Sequence, residues 1–94
     1  MNSKLIKNSW PEWWAWDIEL TSHLIKRMED RSFNEVELRK MLSNARNHKI
    51  DVVEGRWIIE TRHERHPWHV IVEPDEVEKL LVIITAYPVW DKSK

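Results

Sequence analysis

The sequence predicts a single α+β domain in which two N-terminal helices pack on one face of an antiparallel sheet of about four strands. The chain has 94 residues, 41% apolar and 33% charged with one glycine, which is typical of one small ordered domain. Apolar residues recur at helical spacing up to about residue 45 and alternate with polar ones after residue 49. Because the alternating segments follow one another without intervening helices, we expect antiparallel strands with the helices on one side.

Charge and composition exclude several classes of protein. The chain has no cysteine, which excludes disulfides and thiolate metal sites, and its net charge of −1 gives no overall attraction to nucleic acid. The longest apolar run, residues 80–87, is too short to span a bilayer, and the start of the chain contains no signal-peptide core. We therefore expect a cytoplasmic protein that does not bind membranes.

Four of the seven tryptophans lie in the stretch WPEWWAW, residues 10–16. A serine at position 9 followed three residues later by a glutamate, with a proline between them, predicts a capped helical turn. Three tryptophans then share one face: Trp10, Trp13 and Trp14. We treat residues 1–16 as a tryptophan-rich extension that either covers one edge of the core or binds a partner, a second copy of the chain or nucleic-acid bases.

The two helices follow a short strand predicted at residues 17–21. The first helix is capped at residue 21 or 22 and runs through HLIKRMEDR, residues 23–31, with an apolar stripe on one face. The second helix starts at Asn34, because Glu37 three residues later completes a capping box. Its inward side chains are expected to be Leu38, Met41, Leu42 and Ala45.

Alternation of apolar and polar residues then predicts a meander of strands. We expect these strands at residues 50–53, 56–63, 68–73 and 80–87. Pro88 closes the last strand, because proline cannot donate a hydrogen bond to a sheet ladder. The predicted domain therefore spans residues 17–88, and residues 89–94 form a tail.

The stretch RHERHPWH, residues 62–69, holds three histidines at spacings of three. With its four central residues as a turn, Arg62 lies opposite His69, and alternation adds Glu60 to the same open face. His63 then points to the other face, and the third histidine lies in the turn. A zinc ion needs at least three ligands around one point, so we predict no metal site here unless the fold brings in His23 or His48.

Glu60, Arg62 and His69 combine the groups that acid–base cleavage of RNA can use. An imidazole transfers protons near neutral pH, and a guanidinium stabilises charge that develops on a phosphate. The same three side chains are also compatible with a cross-strand salt bridge on a solvated face, and spacing alone favours that second interpretation.

Four stretches in order carry a resemblance to a known family: TSHLIKRMEDRSFNEVELRKML, GRWIIE, PWHVIVEPDE and LLVIITAYP. Through these stretches, residues 17–88 resemble small bacterial domains of a DUF-type family. That family is allied to the BrnT and RelE toxins of the barnase–EndoU–colicin–RelE-like nuclease superfamily. The resemblance implies a RelE/barnase-like fold, an RNA-directed nuclease without a metal or other cofactor, and an antitoxin as partner. By matched position it implies four polar functional residues: His23, Arg27, His69 and Tyr87.

Residue chemistry and resemblance together predict a metal-independent endoribonuclease that acts on RNA, free or on the ribosome. Either His69 or His23 removes the proton of a 2′-hydroxyl. Arg62 and Arg27 stabilise the phosphate, while Glu60 or the second histidine orients the groups or donates a proton. The alternative is a non-catalytic interaction module on the same scaffold, whose tryptophan patch binds a partner protein or forms a homodimer.

Overall fold

The chain folds into two helices beside a five-stranded sheet, in a computed structural model that describes residues 10–90. The elements in chain order are a 3₁₀ helix (Glu12–Ala15), β1 (Asp17–Leu20), α1 (Ser22–Asp30), α2 (Glu35–Ser43), β2 (Asn47–Ile50), β3 (Trp57–His63), β4 (His66–Asp75) and β5 (Leu80–Pro88). The predicted α+β class is confirmed. No helix among residues 10–90 is long and apolar enough to cross a bilayer.

The sheet is mixed and five-stranded, whereas the sequence predicted about four antiparallel strands. Its strand order is β1-β5-β4-β3-β2, and β1 runs parallel to β5 with Asp17 paired to Leu80. The remaining neighbours are antiparallel. The prediction was wrong on this point because alternation marks a strand but not its direction. The short β1 pairs with the last strand of the chain, and sequence patterns do not reveal such distant pairing.

Both helices pack on one side of the sheet, which we call the first face. Alternation along β3 and β4 sends Ile59 and Val70, which are paired, to this face. They belong to one buried cluster with Leu24 of α1 and Leu38 of α2, and each of the four is 0% exposed. The predicted division of the strand residues between a helix-facing side and an opposite side is therefore confirmed for β3 and β4.

Both helices begin where their capping residues predict. Thr21 Oγ1 accepts a hydrogen bond from the Leu24 N–H at 3.1 Å and donates to the Ile83 carbonyl at 3.0 Å, which ties α1 to β5. Asn34 and Glu37 form the predicted capping box, with reciprocal side-chain to backbone hydrogen bonds of 2.9 and 3.0 Å. These bonds satisfy N–H groups that the first turn of a helix leaves unpaired.

Residues 10–16 of the tryptophan-rich extension pack against the core. Trp13 is only 7% exposed and belongs to the buried cluster, and its ring centroid lies 5.4 Å from that of Trp57 on β3. Trp10 and Trp14 are partly buried against the same core, with ring centroids 4.4 Å apart. Ser9, the predicted cap, lies outside the described residues. The segment therefore covers one edge of the core, in agreement with the first of its two interpretations.

Strand β2 begins earlier than predicted. It covers Asn47–Ile50, whereas the sequence predicted a strand at residues 50–53. Val52 is 97% exposed in the turn that follows, and the Asp51 N–H donates to the Arg56 carbonyl at 3.0 Å across that turn. The β-branched residues Val52 and Val53 favoured a strand there. In the structure both lie in the turn and are exposed.

The β3–β4 hairpin has a two-residue turn rather than the predicted four-residue one. Glu64 and Arg65 form it, with φ values of 52° and 71°. Glu60 therefore lies opposite His69, and the prediction that Arg62 lies there was wrong. Left-handed turns of this kind usually contain asparagine or glycine, so the sequence gives no signal for it. The register differs from the predicted one by an even number of residues, which leaves each side chain on its predicted face.

Thr61 is a buried polar residue on the first face, and it forms a hydrogen bond between β3 and α2. Its substitution tests how much this hydrogen bond stabilises the fold. Thr61 is 4% exposed, and its hydroxyl donates a hydrogen bond to the Met41 carbonyl. Thr61→Val leaves that buried carbonyl without its donor, so we expect the free energy of unfolding to fall by about 1–3 kcal/mol. Urea unfolding measures the change, with Thr61→Ser as the control that keeps the hydroxyl. Equal stability of Thr61→Val and the unchanged protein would contradict this role.

Candidate functional site

Four polar side chains form a row across the other side of the sheet, the second face. Backbone pairing aligns Tyr87 of β5 with His69 of β4. It also aligns His69 with Glu60 of β3, and Glu60 with Asn47 of β2. Because paired residues of neighbouring strands point to the same face, their side chains are neighbours. We call Tyr87, His69, Glu60 and Asn47 the cross-strand row.

His69 lies at the centre of the cross-strand row. Its Nε2 atom is 4.0 Å from Glu60 Oε2, and its ring centroid is 5.6 Å from that of Tyr87 in an edge-on contact. Exposure rises along the row, because Tyr87 is buried, His69 and Glu60 are half-buried, and Asn47 is exposed. The imidazole therefore has a buried aromatic ring on one side and a carboxylate on the other, nearer to solvent.

Two residues of β2 bind the Glu60 carboxylate and lower its pKa. Lys49 Nζ lies 2.9 Å from Glu60 Oε2, and Asn47 Nδ2 donates a hydrogen bond to Glu60 Oε1 at 3.1 Å. The hydrogen bond from Lys49, followed by that from Asn47, lowers the pKa of the Glu60 carboxyl. The carboxylate is therefore ionised at neutral pH and is poorly suited to donate a proton.

Sequence reasoning missed Lys49 and Asn47 because it placed the second strand at residues 50–53. The alternation of Asn47, His48 and Lys49 was the available signal, since a strand that starts at Asn47 puts the first and third on one face. His48 points to the first face, where its ring centroid lies 4.5 Å from that of Trp10.

Lys49→Met tests the electrostatic coupling between β2 and β3. A carboxyl with a lower pKa in the folded state than in the unfolded chain stabilises the fold above its unfolded pKa, and this contribution is lost as pH falls through the folded pKa. Glu60 is such a group. Without Lys49 the Glu60 pKa should rise toward the ordinary value. The protein should then lose less stability on acidification through protonation of Glu60. Carbon-13 NMR titration measures this pKa, with Lys26→Met as control. An unchanged Glu60 pKa in Lys49→Met would contradict the assigned cause.

The second face is less open to solvent than the sequence predicted. Ile71, Thr85 and Tyr87 are buried on β4 and β5, whereas Glu73 and Val82 on the same face are half-buried. Thr85 Oγ1 is inaccessible and makes no hydrogen bond within the described part of the chain. The solvent-accessible end of the cross-strand row is therefore on the β2 side, where the side chains of Glu60 and Lys49 are 34% and 52% exposed.

Arg62 belongs to the hairpin turn rather than to the cross-strand row. Its Nη2 atom donates to the Arg65 carbonyl at 2.7 Å, and Arg62 is one of the residues around a cleft beside α2. Its backbone pairs with Pro67 and not with His69. The cation paired with Glu60 is consequently Lys49 and not Arg62.

His23 and Arg27 lie on the other side of the sheet from the cross-strand row. Their helix, α1, packs on the first face through Leu24, and Arg27 Nη1 is 3.5 Å from Asp30 Oδ2 of the same helix. The sheet therefore separates His23, which is exposed at the start of α1, from His69. The predicted catalytic set is divided: Glu60, His69 and Tyr87 are together, whereas His23, Arg27 and Arg62 are apart from them.

The part of the sequence that contains most of the fold and the whole cross-strand row matches a protein family. Residues 20–88 match the family described as a domain of unknown function, DUF4258. The chain belongs to the DUF4258 family. This confirms the DUF-type part of the resemblance, and the match says nothing of BrnT or RelE toxins. No curated protein and no solved structure matches the chain.

The DUF4258 match starts at the end of β1 and finishes with β5, so it contains the whole cross-strand row and Lys49. Trp10, Trp13 and Trp14 lie outside the matched range. Trp13 therefore reaches the core of the DUF4258 domain from the segment that precedes the match.

One further group of side chains in this DUF4258 domain has the composition of a metal site. Among the described residues, Glu37, His63 and Glu64 each place one ligand atom within 4.8 Å of the others. The prediction of no metal site rested on the separation of the hairpin histidines and overlooked α2, from which Glu37 reaches His63. Glu37 was predicted only as a capping residue, so its second contact carried no signal in the sequence.

Proposed function

We propose that this DUF4258 domain is a toxin-like, metal-independent endoribonuclease whose reactive centre is the cross-strand row together with Lys49. The observation that carries the proposal is the position of His69, between the Tyr87 ring and the ionised carboxylate that pairs with Lys49. A proton acceptor, an anion and a cation side by side on a rigid sheet are the parts that acid–base cleavage of a phosphodiester requires.

His69 acts as the general base in this proposal. Its neutral imidazole takes the proton of a 2′-hydroxyl, and the 2′-oxygen forms a bond to the adjacent phosphorus. The bond from phosphorus to the 5′-oxygen breaks, and the leaving oxygen takes a proton from the Lys49 ammonium. The products are one RNA end with a 2′,3′-cyclic phosphate and one with a 5′-hydroxyl. Exchange with water then removes the proton from His69 and restores that of Lys49.

Glu60 supports His69 rather than taking the proton itself. A general base works best when its pKa lies near the working pH, and the lowered pKa of Glu60 makes its carboxylate a weak base. Its negative charge, 4.0 Å from Nε2, stabilises the imidazolium that forms when His69 accepts a proton. Tyr87 holds the imidazole ring in position through their edge-on contact.

Three of the residues predicted from sequence lie outside this reactive centre. Arg62 fastens the hairpin turn, while His23 and Arg27 lie beyond the sheet. Lys49 therefore takes the phosphate-stabilising role that sequence reasoning gave to the arginines. RNA is the proposed substrate and the cytoplasm the proposed location. The ribosome and an antitoxin are the proposed partners.

Incubation of a labelled RNA with the purified protein tests the proposal. We expect cleavage in excess EDTA, with or without added ribosomes, and mass spectrometry should detect ends that carry a 2′,3′-cyclic phosphate. Expression of the chain should also slow cell growth. RNA that stays intact in every arm, together with normal growth, would overturn the proposal.

A second candidate is a non-catalytic interaction module that uses the predicted partner-binding set, Trp10, Trp13 and Trp14, for a partner protein or a homodimer. The partial exposure of Trp10 and Trp14, outside the family match, favours it. Trp13 is buried, so contact with a partner falls on the other two. Under this alternative Trp14→Ala abolishes association, whereas His69→Ala changes nothing measurable.

A further inference from the structure

Three side chains meet in a cleft between α2 and the β3–β4 hairpin, away from the cross-strand row. Glu37 comes from α2, His63 ends β3 and Glu64 begins the turn, and their ligand atoms lie within 4.8 Å of one another. All three line the cleft, which has a volume of about 220 Å³. We infer that they form a site for a divalent transition-metal ion of the Zn²⁺ class, which joins the helix to the hairpin.

The surrounding structure orients two of the three ligands. The His63 side chain is 13% exposed, and its ring contacts those of Phe33 and Trp68 at centroid distances of 6.2 and 5.2 Å. Glu37 Oε1 accepts the Asn34 N–H at 3.0 Å, and a carboxylate has a second oxygen for a ligand bond. Metal ligands held by such outer contacts bind more tightly than ligands that must be ordered by the ion.

Glu64 is the adjustable third ligand. It follows His63 in the turn, and its Oε2 atom lies 4.0 Å from His63 Nε2. A Zn²⁺ ion about 2.1 Å from each ligand holds the ligand atoms roughly 3.4 Å apart in tetrahedral geometry. The Glu64 side chain is 75% exposed, so rotation about its own bonds can supply most of the movement that closes the site.

The donor set favours Zn²⁺ over Mg²⁺ and Ca²⁺. It offers one imidazole nitrogen and two carboxylate oxygens, whereas Mg²⁺ and Ca²⁺ prefer oxygen ligands throughout. Water takes the remaining position, as in other zinc sites with three protein ligands. Lys40 and Arg62 also line the cleft, and their positive charges weaken its attraction for a cation. We therefore expect micromolar rather than nanomolar affinity.

The metal site is separate from the proposed ribonuclease centre. His63 points to the first face of the sheet and His69 to the second, so an ion bound at His63 does not touch the cross-strand row. Such an ion links the hairpin to α2. Because it binds only the folded state, it should raise the unfolding temperature. Removal of the ion by EDTA should lower that temperature without abolishing RNA cleavage.

Calorimetric titration with ZnSO₄ tests the site, using protein without a histidine tag. We expect one ion per chain. Glu37→Gln is the informative variant because glutamine keeps the capping-box acceptor and hence the start of α2. The Zn²⁺ affinity of Glu37→Gln, and that of Glu64→Gln, should fall by roughly 10–100-fold or more. Loss of an outer-shell partner already costs this much, and here a direct ligand is lost. Glu35→Gln is the matched control in the same helical turn; its native partner is Arg39, and it should bind as the unchanged protein does.

Nitrogen-15 NMR of the histidine side chains identifies the ligand independently. Saturating Zn²⁺ should shift the imidazole signals of His63 and leave those of His48 and His66 in place. The inference is overturned by the absence of saturable binding, by equal affinity in Glu37→Gln and Glu35→Gln, or by a shift of His66 instead of His63. None of these measurements involves RNA, so their failure is distinct from a failure of the ribonuclease proposal.

Discussion

His69→Ala is expected to slow RNA cleavage by about 10²–10⁴-fold, the range that general acid–base catalysis contributes. The substitution removes the proposed proton acceptor at the centre of the cross-strand row. His69 lies outside the buried cluster, and its side chain is 22% exposed, so the fold should survive the change. Single-turnover cleavage rates, with urea unfolding of the same preparations, separate a loss of chemistry from a loss of structure.

Glu73→Gln is the matched control for that substitution. Glu73 lies on the same strand and face as His69, but it pairs with Arg56 at 3.2 Å rather than with the cross-strand row. Its cleavage rate should stay close to that of the unchanged protein. Equal rates in His69→Ala and Glu73→Gln would remove His69 from the mechanism.

Trp13→Ala is expected to lower the free energy of unfolding by about 3–5 kcal/mol, the usual cost of replacing a buried tryptophan. Trp13 is 7% exposed and packs against Trp57 and the rest of the buried cluster, so its removal leaves a cavity at the edge of the core. Urea unfolding monitored by circular dichroism measures the change without depending on tryptophan fluorescence.

Trp90→Ala is the control for the loss of a tryptophan as such. Trp90 is 59% exposed and lies outside the buried cluster, so we expect a change within about 0.5 kcal/mol. Similar stabilities for Trp13→Ala and Trp90→Ala would contradict the structural role of the tryptophan-rich segment. A chain shortened to the matched range 20–88 lacks Trp13 and most of β1, and should be destabilised as well.

Features fixed by neighbouring residues were predictable from the sequence. Thr21 and Asn34 accept hydrogen bonds within the helices that they start, so their spacing alone located both helices. Strand alternation was equally robust. The predicted register placed Arg62 opposite His69, two residues away from the observed partner Glu60. Because a shift by two residues keeps every side chain on its face, Glu60 and His69 remained on one face. The central pair of the candidate site was therefore predictable, but its register was not.

Features that depend on contacts between distant segments were not predictable. The parallel pairing of β1 with β5 has no local pattern. Lys49 reaches Glu60 only because β2 starts at Asn47, and this start is decided by pairing with β3 rather than by propensity. Likewise, Glu37 meets His63 through the packing of α2 beside the hairpin, which no spacing in the sequence encodes.

The proposed roles of His69 and Glu60 meet their most direct test in the single-turnover cleavage rate as a function of pH, for the unchanged protein and for Glu60→Gln. We expect the rate to rise with pH as the imidazole loses its proton. The midpoint of this rise should lie at lower pH in Glu60→Gln, because loss of the carboxylate removes a charge that favours imidazolium. A midpoint at the same pH in both proteins, or a rate that does not change between about pH 5 and 8, would contradict the pairing of these two residues in catalysis.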